Sequence, residues 1–163
     1  MAFVELNGWD TGMQFSASHF IPGHVKCGRL HGHVYGIRLR VHGSIGPDHM
    51  IMDFIVLKKW LRGIVERFDH RVLLPSENPD ISISLVHEEA EVCAAGKRYI
   101  FPQDDIVLVP VTMCSAEKLA EHLLDLCINE IPFPPQVTMV ELGVDEGRGQ
   151  GGWSVRNMEG VKR

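Results

Sequence analysis

The chain has 163 residues, of which 45% are hydrophobic and 23% are charged, and its formal net charge at pH 7 is -5. This length predicts a single domain over residues 1–163 with enough residues for a substantial core. The negative charge argues against a general nucleic-acid surface, and no apolar run approaches the ~20 residues of a membrane span. The N-terminal residues lack the pattern of a signal peptide, and the four cysteines lack disulfide-framework spacing. We therefore expect a cytoplasmic protein that binds neither nucleic acid nor membrane.

Two N-terminal segments are expected to pair as antiparallel strands. Residues 3–20 are typical of an extended chain, with glycines at positions 8 and 12 allowing a bend, before Ile21-Pro22-Gly23 ends the segment. The second segment runs from His31 to about Gly43, where apolar and polar residues alternate as in a half-buried strand. Pairing of the two would bring His19 towards the start of the second strand.

His31 and His33 at the start of the second strand are candidate metal ligands. They should project from one face of the strand, roughly 6.6 Å apart at ~3.3 Å per residue. With His19 they would supply three zinc ligands and leave a fourth position open, as in a catalytic site. Cys27 lies four residues before His31 with the same parity, which would place it beside the metal. A bare His-x-His also fits an ordinary strand, and Cys27 could instead be a fourth ligand that closes a structural site.

Helix signals appear twice. Asp53 is a candidate N-cap for a helix that extends to about residue 68, and Ser115 for a helix that ends before Pro132. Glu117 lies in the first turn of the second helix, where a carboxylate favours the helix dipole or is simply a helix-start residue. Asp69-His70 follows the first helix, and such a pair can be an ordinary cap.

Residues 75–111 are expected to form one or two added β-hairpins, with a turn at Ala95-Gly96-Lys97. Strands are predicted over about 137–145 and 153–158, joined by a glycine-rich segment that starts at Glu146. A phosphate-binding loop should lead into a helix, whereas this segment joins two strands. We interpret it as a hairpin connection.

Six short motifs occur in this order of elements. They are FSASH at 15–19, CGRLHGH at 27–33, MIMDF at 50–54, FDH at 68–70, SAE at 115–117, and a glutamate at 146. Together they resemble the 6-pyruvoyl-tetrahydropterin synthase / 6-carboxytetrahydropterin synthase family, from about residue 15 to 155 apart from the segment near 75–110. The resemblance implies an α+β tunnelling fold (T-fold) with an antiparallel β-β-α-α-β-β sheet, helices on one face, and a β-hairpin insertion around 75–110. It also implies a homo-oligomer, commonly a hexamer of two trimers, with active sites at the subunit junctions.

The same resemblance implies roles for individual residues. The zinc ligands match His19, His31 and His33. The catalytic thiol matches Cys27, and the proton-relay pair matches Asp69 with His70. The acid that anchors the pterin ring matches Glu146, and an acid at a helix start near it matches Glu117.

The implied substrate is 7,8-dihydroneopterin triphosphate, whose phosphates could meet Lys26 and Arg29. The three-residue gap between Cys27 and His31 is closer to the branch that forms 6-carboxy-5,6,7,8-tetrahydropterin, a deazapurine (queuosine-type) precursor. Two alternatives stay open: the pyruvoyl synthase reaction or a related pterin side-chain lyase, and a non-catalytic zinc-stabilised oligomer that binds a pterin or purine. The remaining histidines are expected at the surface or in ordinary packing: His24, His42, His49, His87 and His122.

Overall fold

The computed structural model describes residues 2–160 of the chain. The strands are β1 (Ala2–Asn7), β2 (Gln14–His19), β3 (His31–Gly43), β4 (Arg71–Pro75), β5 (Ile81–Val86), β6 (Glu89–Ala94), β7 (Lys97–Pro102), β8 (Ile106–Val109), β9 (Val137–Glu146) and β10 (Gly151–Asn157). The α-helices are α1 (Gly8–Thr11), α2 (Phe54–Phe68) and α3 (Ala116–Glu130). No helix within residues 2–160 is both long enough and apolar enough to cross a membrane.

The main sheet has seven strands in the order β10-β9-β3-β2-β4-β8, and β1 also pairs with β3. The antiparallel pairing predicted for the central strands is confirmed for β2 with β3, β3 with β9, and β9 with β10. The predicted antiparallel β-β-α-α-β-β sheet is thus present as β2, β3, β9 and β10 with α2 and α3. Two further strands extend it, since β4 pairs parallel with both β2 and β8. Parallel partners need a crossover connection, and β3 with α2 supplies it between β2 and β4.

Side chains alternate between the two faces of this sheet. Phe15 and Ala17 of β2 and Ile37 and Leu39 of β3 are buried in one core with the apolar sides of α2 and α3. The intervening residues, such as Arg38, point to the opposite face. This period-2 pattern puts both long helices on one face, as expected.

The helix boundaries follow the predicted caps. The Asp53 carboxylate accepts a hydrogen bond from the N–H of Ile55 at 2.8 Å, and the Ser115 hydroxyl accepts one from the N–H of Lys118 at 3.4 Å. α3 ends at Glu130, before Pro132. The extended segment predicted over residues 3–20 is interrupted by the four-residue helix α1, which the Asn7 side chain caps by accepting from the N–H of Trp9.

The expected insertion is present as two hairpins that share a strand. β5, β6 and β7 form a separate antiparallel three-stranded sheet, while β8 returns to the main sheet. The small sheet has its own apolar cluster, which includes Phe20, Leu74 and Val92. Phe20 directly follows His19, so the insertion packs against the end of β2.

Candidate metal centre and adjoining cavity

Three histidines converge at one end of the main sheet. His19 and His31 are directly opposite each other in the β2–β3 register, and their Nε2 atoms lie 3.2 Å apart. His33 follows on the same face of β3, and ligand atoms of all three rings lie within 4.8 Å of one another. Two nitrogens at about 2.05 Å from one tetrahedral zinc would be about 3.3 Å apart. The spacing of this pair therefore suits a shared metal ion.

Backbone carbonyls orient two of the rings. His19 Nδ1 lies 2.7 Å from the carbonyl oxygen of Cys114, and His31 Nδ1 lies 2.7 Å from that of Arg29. A carbonyl can only accept, so each Nδ1 carries the proton and each Nε2 has a free lone pair. His33 Nε2 is buried without a hydrogen-bond partner among the described residues. An orphaned ring nitrogen beside two oriented ones fits a metal ion.

Burial also keeps His19 neutral. Desolvation lowers the pKa of His19 to about 4; the hydrogen bond to the Cys114 carbonyl opposes this, and the nearby His31 and His33 add to it. A neutral imidazole is the form that binds a metal. Behind the centre, burial and the charge of Glu146 raise the pKa of Tyr35, so its hydroxyl stays protonated.

Glu146 is the last residue of β9 and pairs with Tyr35 of β3. Its carboxylate oxygens lie 3.8 Å from His19 Nε2 and 4.0 Å from His33 Nε2. The neighbouring Asp145 is buried and accepts a hydrogen bond from the Trp9 indole N–H at 2.8 Å. This contact fixes the strand end that carries Glu146.

A cavity of about 940 Å³ opens beside the three histidines. The segment between β2 and β3 forms one wall, and the start of α3 with the end of β9 forms the other. Its lining residues include Cys27, Lys26, Arg29, Glu117, Glu146 and Gln150. The cavity thus brings together five predicted residues besides the histidines: the thiol, both acids and both candidate phosphate ligands.

The parity argument for Cys27 is wrong, because β3 begins at His31 and Cys27 lies in a loop of turns. Its position depends on loop hydrogen bonds: the N–H of Cys27 donates to His24 Nδ1 at 2.9 Å, and its carbonyl accepts from the N–H of Ile21 at 2.7 Å. Cys27 is not a member of the cluster of ligand atoms within 4.8 Å. The half-buried Cys27 lines the same cavity as the three histidines.

His24 also belongs to the site, although its sequence context predicts a surface or ordinary packing position. It lines the cavity, and its ring accepts the hydrogen bond from the Cys27 N–H. The three-residue spacing between them is that of a turn in which a side chain caps a backbone N–H, a signal that the sequence contains.

The glycine-rich segment is a hairpin connection, as predicted, and one glycine has a steric role. A Cβ at Gly152 would lie 2.6 Å from the backbone nitrogen of Glu117. The start of β10 can therefore approach the start of α3 closely. This packing puts Glu117 at the cavity wall opposite Cys27.

Asp69 and His70 are not brought together with Cys27 within one chain. His70 shares a different cavity with Ser16, Ser18 and Val34, which lie on the opposite face of β2 and β3, although His33 borders both cavities. The pair is well formed there, with His70 Nδ1 2.8 Å from Asp69 Oδ2. Asp69 Oδ1 also accepts from the Ser16 N–H, which is the main cause of its lowered pKa, and His70 adds to it.

Comparison with known proteins defines the class. Residues 10–153 match the family described as 6-pyruvoyl tetrahydropterin synthase. A putative 6-carboxy-5,6,7,8-tetrahydropterin synthase of Methanocaldococcus jannaschii is 30% identical over 152 residues, covering 91% of this chain and 93% of that protein. Another from Archaeoglobus fulgidus is 44% identical over 59 residues, covering 36% of this chain and 51% of that protein.

Among solved structures, Plasmodium vivax 6-pyruvoyltetrahydropterin synthase superposes with a TM-score of 0.86 at 29% identity, covering 96% of this chain and 99% of that one. The fold is therefore the α+β tunnelling fold, and the protein is of the tetrahydropterin synthase class. The chain belongs to the 6-pyruvoyl tetrahydropterin synthase family.

Proposed function

We propose that this protein is a zinc-dependent lyase that acts on the side chain of 7,8-dihydroneopterin triphosphate and forms 6-carboxy-5,6,7,8-tetrahydropterin. The observation that carries the proposal is the convergence of His19, His31 and His33 beside a cavity that also holds Cys27 and Glu146. The family membership supports a pterin synthase activity.

The three Nε2 atoms would hold the zinc, which when bound supplies Lewis acidity towards the hydroxyls of the substrate side chain. The protein's own residues would move the protons. Cys27 borders the histidines and would remove or return a side-chain proton. A general acid–base group of this kind contributes roughly 10²–10⁴-fold in rate.

Glu146 would anchor the pterin ring. A carboxylate can accept paired N–H bonds from an aminopyrimidine edge, which gives directional, charge-assisted binding. Glu117 faces the same cavity and is the second acid on that side. Lys26 and Arg29 are the cations of the opposite wall and would meet the phosphates.

The second acid–base group would be His70, held by Asp69. Because His70 and Cys27 lie in different cavities of one chain, they would meet only across a subunit interface. We therefore propose a homo-oligomer, a hexamer of two trimers, in which one subunit supplies Cys27 and another supplies the Asp69–His70 pair. The strand order of the main sheet ends at β10 and β8, and edge strands can pair with another chain in such an assembly.

The relatives named 6-carboxy-5,6,7,8-tetrahydropterin synthase favour the carboxy product. We propose on that basis a role in a deazapurine (queuosine-type) pathway in the cytoplasm. The likeness to a 6-pyruvoyltetrahydropterin synthase structure makes the pyruvoyl reaction, or a related side-chain lyase, the second candidate. A zinc-stabilised oligomer that binds a pterin or purine without turnover is the non-catalytic alternative.

Product analysis separates these candidates. The metal-loaded protein is incubated with 7,8-dihydroneopterin triphosphate, and the products are identified by mass spectrometry. A 6-carboxy product keeps one side-chain carbon and must release a two-carbon fragment, whereas a 6-pyruvoyl product keeps all three. Binding of the pterin without any product would support the non-catalytic alternative.

A further inference from the structure

The inserted sheet contacts the loop that carries Cys27. Lys97, the first residue of β7, donates a hydrogen bond from Nζ to the carbonyl oxygen of Gly28 at 3.0 Å. Tyr99 of β7 stacks on Phe20, with ring centroids 5.2 Å apart and an interplanar angle of 18°. The stacking contact is made at Phe20, just before the loop, and the hydrogen bond is made at Gly28, directly after Cys27.

This loop comprises residues 21–30. It consists of turns and bends between β2 and β3, and much of it is exposed, with Val25 94% exposed. Local hydrogen bonds hold its shape, such as that from the N–H of Gly28 to the carbonyl of His24 at 2.9 Å. Such bonds fix the loop internally. One further contact ties the end of the loop to the metal centre, because the Arg29 carbonyl lies 2.7 Å from His31 Nδ1.

The two contacts from the insertion add to this constraint, one before the loop and one directly after Cys27. Phe20 is only 2% exposed and belongs to the apolar cluster of the inserted sheet, so the start of the loop is fixed by burial. The Gly28 carbonyl is part of a turn that would otherwise face solvent, and an ammonium donor restrains it there. The part of the loop that holds Cys27 and Gly28 is thereby tied to β7.

We propose that Lys97 and Tyr99 are positioning residues for the reaction: they hold the 21–30 loop so that the Cys27 thiol faces the metal centre. The inference rests on the proposed function, in which Cys27 transfers the proton. It gives the insertion a specific task at the site, although neither residue is among those that line the cavity.

Hydrogen exchange tests the proposal without any need for turnover. In Lys97→Met, peptides covering residues 21–30 should exchange roughly threefold faster, because one restraint on local opening is lost. Peptides from α2 and α3 should be unchanged, and so should the metal content. The matched control is Arg98→Met, which removes an exposed pair with Glu91 in the same hairpin at 2.7 Å and no contact to the loop.

Kinetics provide the second readout. With 7,8-dihydroneopterin triphosphate, Lys97→Met should lower kcat by roughly threefold to tenfold and change KM by less than about twofold, because proton transfer depends on placement of the thiol. Lys97→Arg, which keeps a donor, should recover most of the loop protection and kcat. Unchanged exchange in the 21–30 peptides of Lys97→Met would overturn the role of Lys97, whether or not the wild type turns over this substrate.

Tyr99→Leu tests the second contact, since leucine preserves apolar burial but not the ring stacking. We expect faster exchange of the same 21–30 peptides, with the α2 peptides as the reference for global stability. If exchange rises equally in both regions, Tyr99 supports the fold in general and its positioning role is refuted.

Discussion

His19 and His31 face each other across β2 and β3 as direct register partners, with their Nε2 atoms 3.2 Å apart. Two imidazole nitrogens whose lone pairs point at each other repel at this distance unless a cation between them binds both lone pairs. Each ring is oriented by a backbone carbonyl on its far nitrogen, so the approach is set by the surrounding chain. The centre is thus formed by strand register and two backbone acceptors.

Replacing His31 with alanine should therefore remove the metal. Loss of a hydrogen-bond partner of a metal ligand typically lowers metal affinity by about 10–100-fold. Loss of one of the three ligands themselves should lower it by more than about 100-fold. Elemental analysis of purified protein measures the bound zinc. The control is His87→Asn in the β5–β6 turn, where the backbone φ of 48° tolerates asparagine; it should keep full metal content.

Replacing Cys27 with alanine should lower turnover and leave the metal content unchanged. The thiol lies outside the three-histidine cluster, so the variant should retain zinc while its turnover falls by roughly 10²–10⁴-fold. Elemental analysis and product formation from 7,8-dihydroneopterin triphosphate are measured on the same sample. Loss of metal in this variant would identify Cys27 as a ligand and favour a structural site.

The sequence was sufficient for the parts of the site that depend on local periodicity. Alternation along residues 31–43 predicts β3 from its first to its last residue, and the same period of two puts His31 and His33 on the face that meets His19. The caps at Asp53 and Ser115 are likewise local signals, because each side chain bonds to a backbone N–H within three residues.

Features that depend on tertiary contacts could not be predicted in this way. Cys27 lies in a loop of turns that contacts the inserted sheet, and strand parity does not extend through turns. The parallel pairing of β4 depends on where α2 returns the chain. His70 and Cys27 are separated because their cavities lie on opposite faces of one sheet. The order of motifs along the chain does not specify the face on which each motif lies.

Glu146→Gln tests whether this residue anchors substrate. The amide removes the charge and replaces one acceptor with a donor, so we expect KM to rise by at least about tenfold while zinc is retained. Because the carboxylate lies within 4.0 Å of two histidine Nε2 atoms, metal content must be measured in parallel. Loss of zinc would instead assign Glu146 to the metal. Glu121→Gln, an exposed acid on α3 that pairs with Lys118, is the matched control.

Asp69 should make stability depend on pH in the acid range. The Ser16 N–H and then His70 lower the pKa of this carboxyl in the folded protein. The unfolded chain therefore binds the proton more tightly, so the contribution is present above the ordinary pKa of about 3.9 and is lost as pH falls through the lower folded pKa. The melting temperature of Asp69→Asn should lie below that of the wild type at pH 7, by less than about 4 °C for a group this exposed.

The difference between wild type and Asp69→Asn should shrink as the pH falls below about 4, since the wild-type carboxyl then becomes neutral as well. Differential scanning calorimetry across pH 2–7 measures it. Glu66→Gln, which neutralises an exposed carboxylate on α2, should show no such convergence. A constant difference across the range would mean that the Asp69 charge does not stabilise the fold.

Mixed oligomers test whether Cys27 and His70 act from different subunits. Cys27→Ala and His70→Ala should each be inactive alone, because every site lacks one proton-transfer group. When the two variants are co-expressed with different tags and the mixed oligomers are isolated, about one quarter of the sites should combine an intact Cys27 with an intact His70. Activity should then return to roughly a quarter of the wild-type value per subunit. If the two groups served the same site from one chain, no site in the mixture would be intact and activity would stay at the level of the single variants.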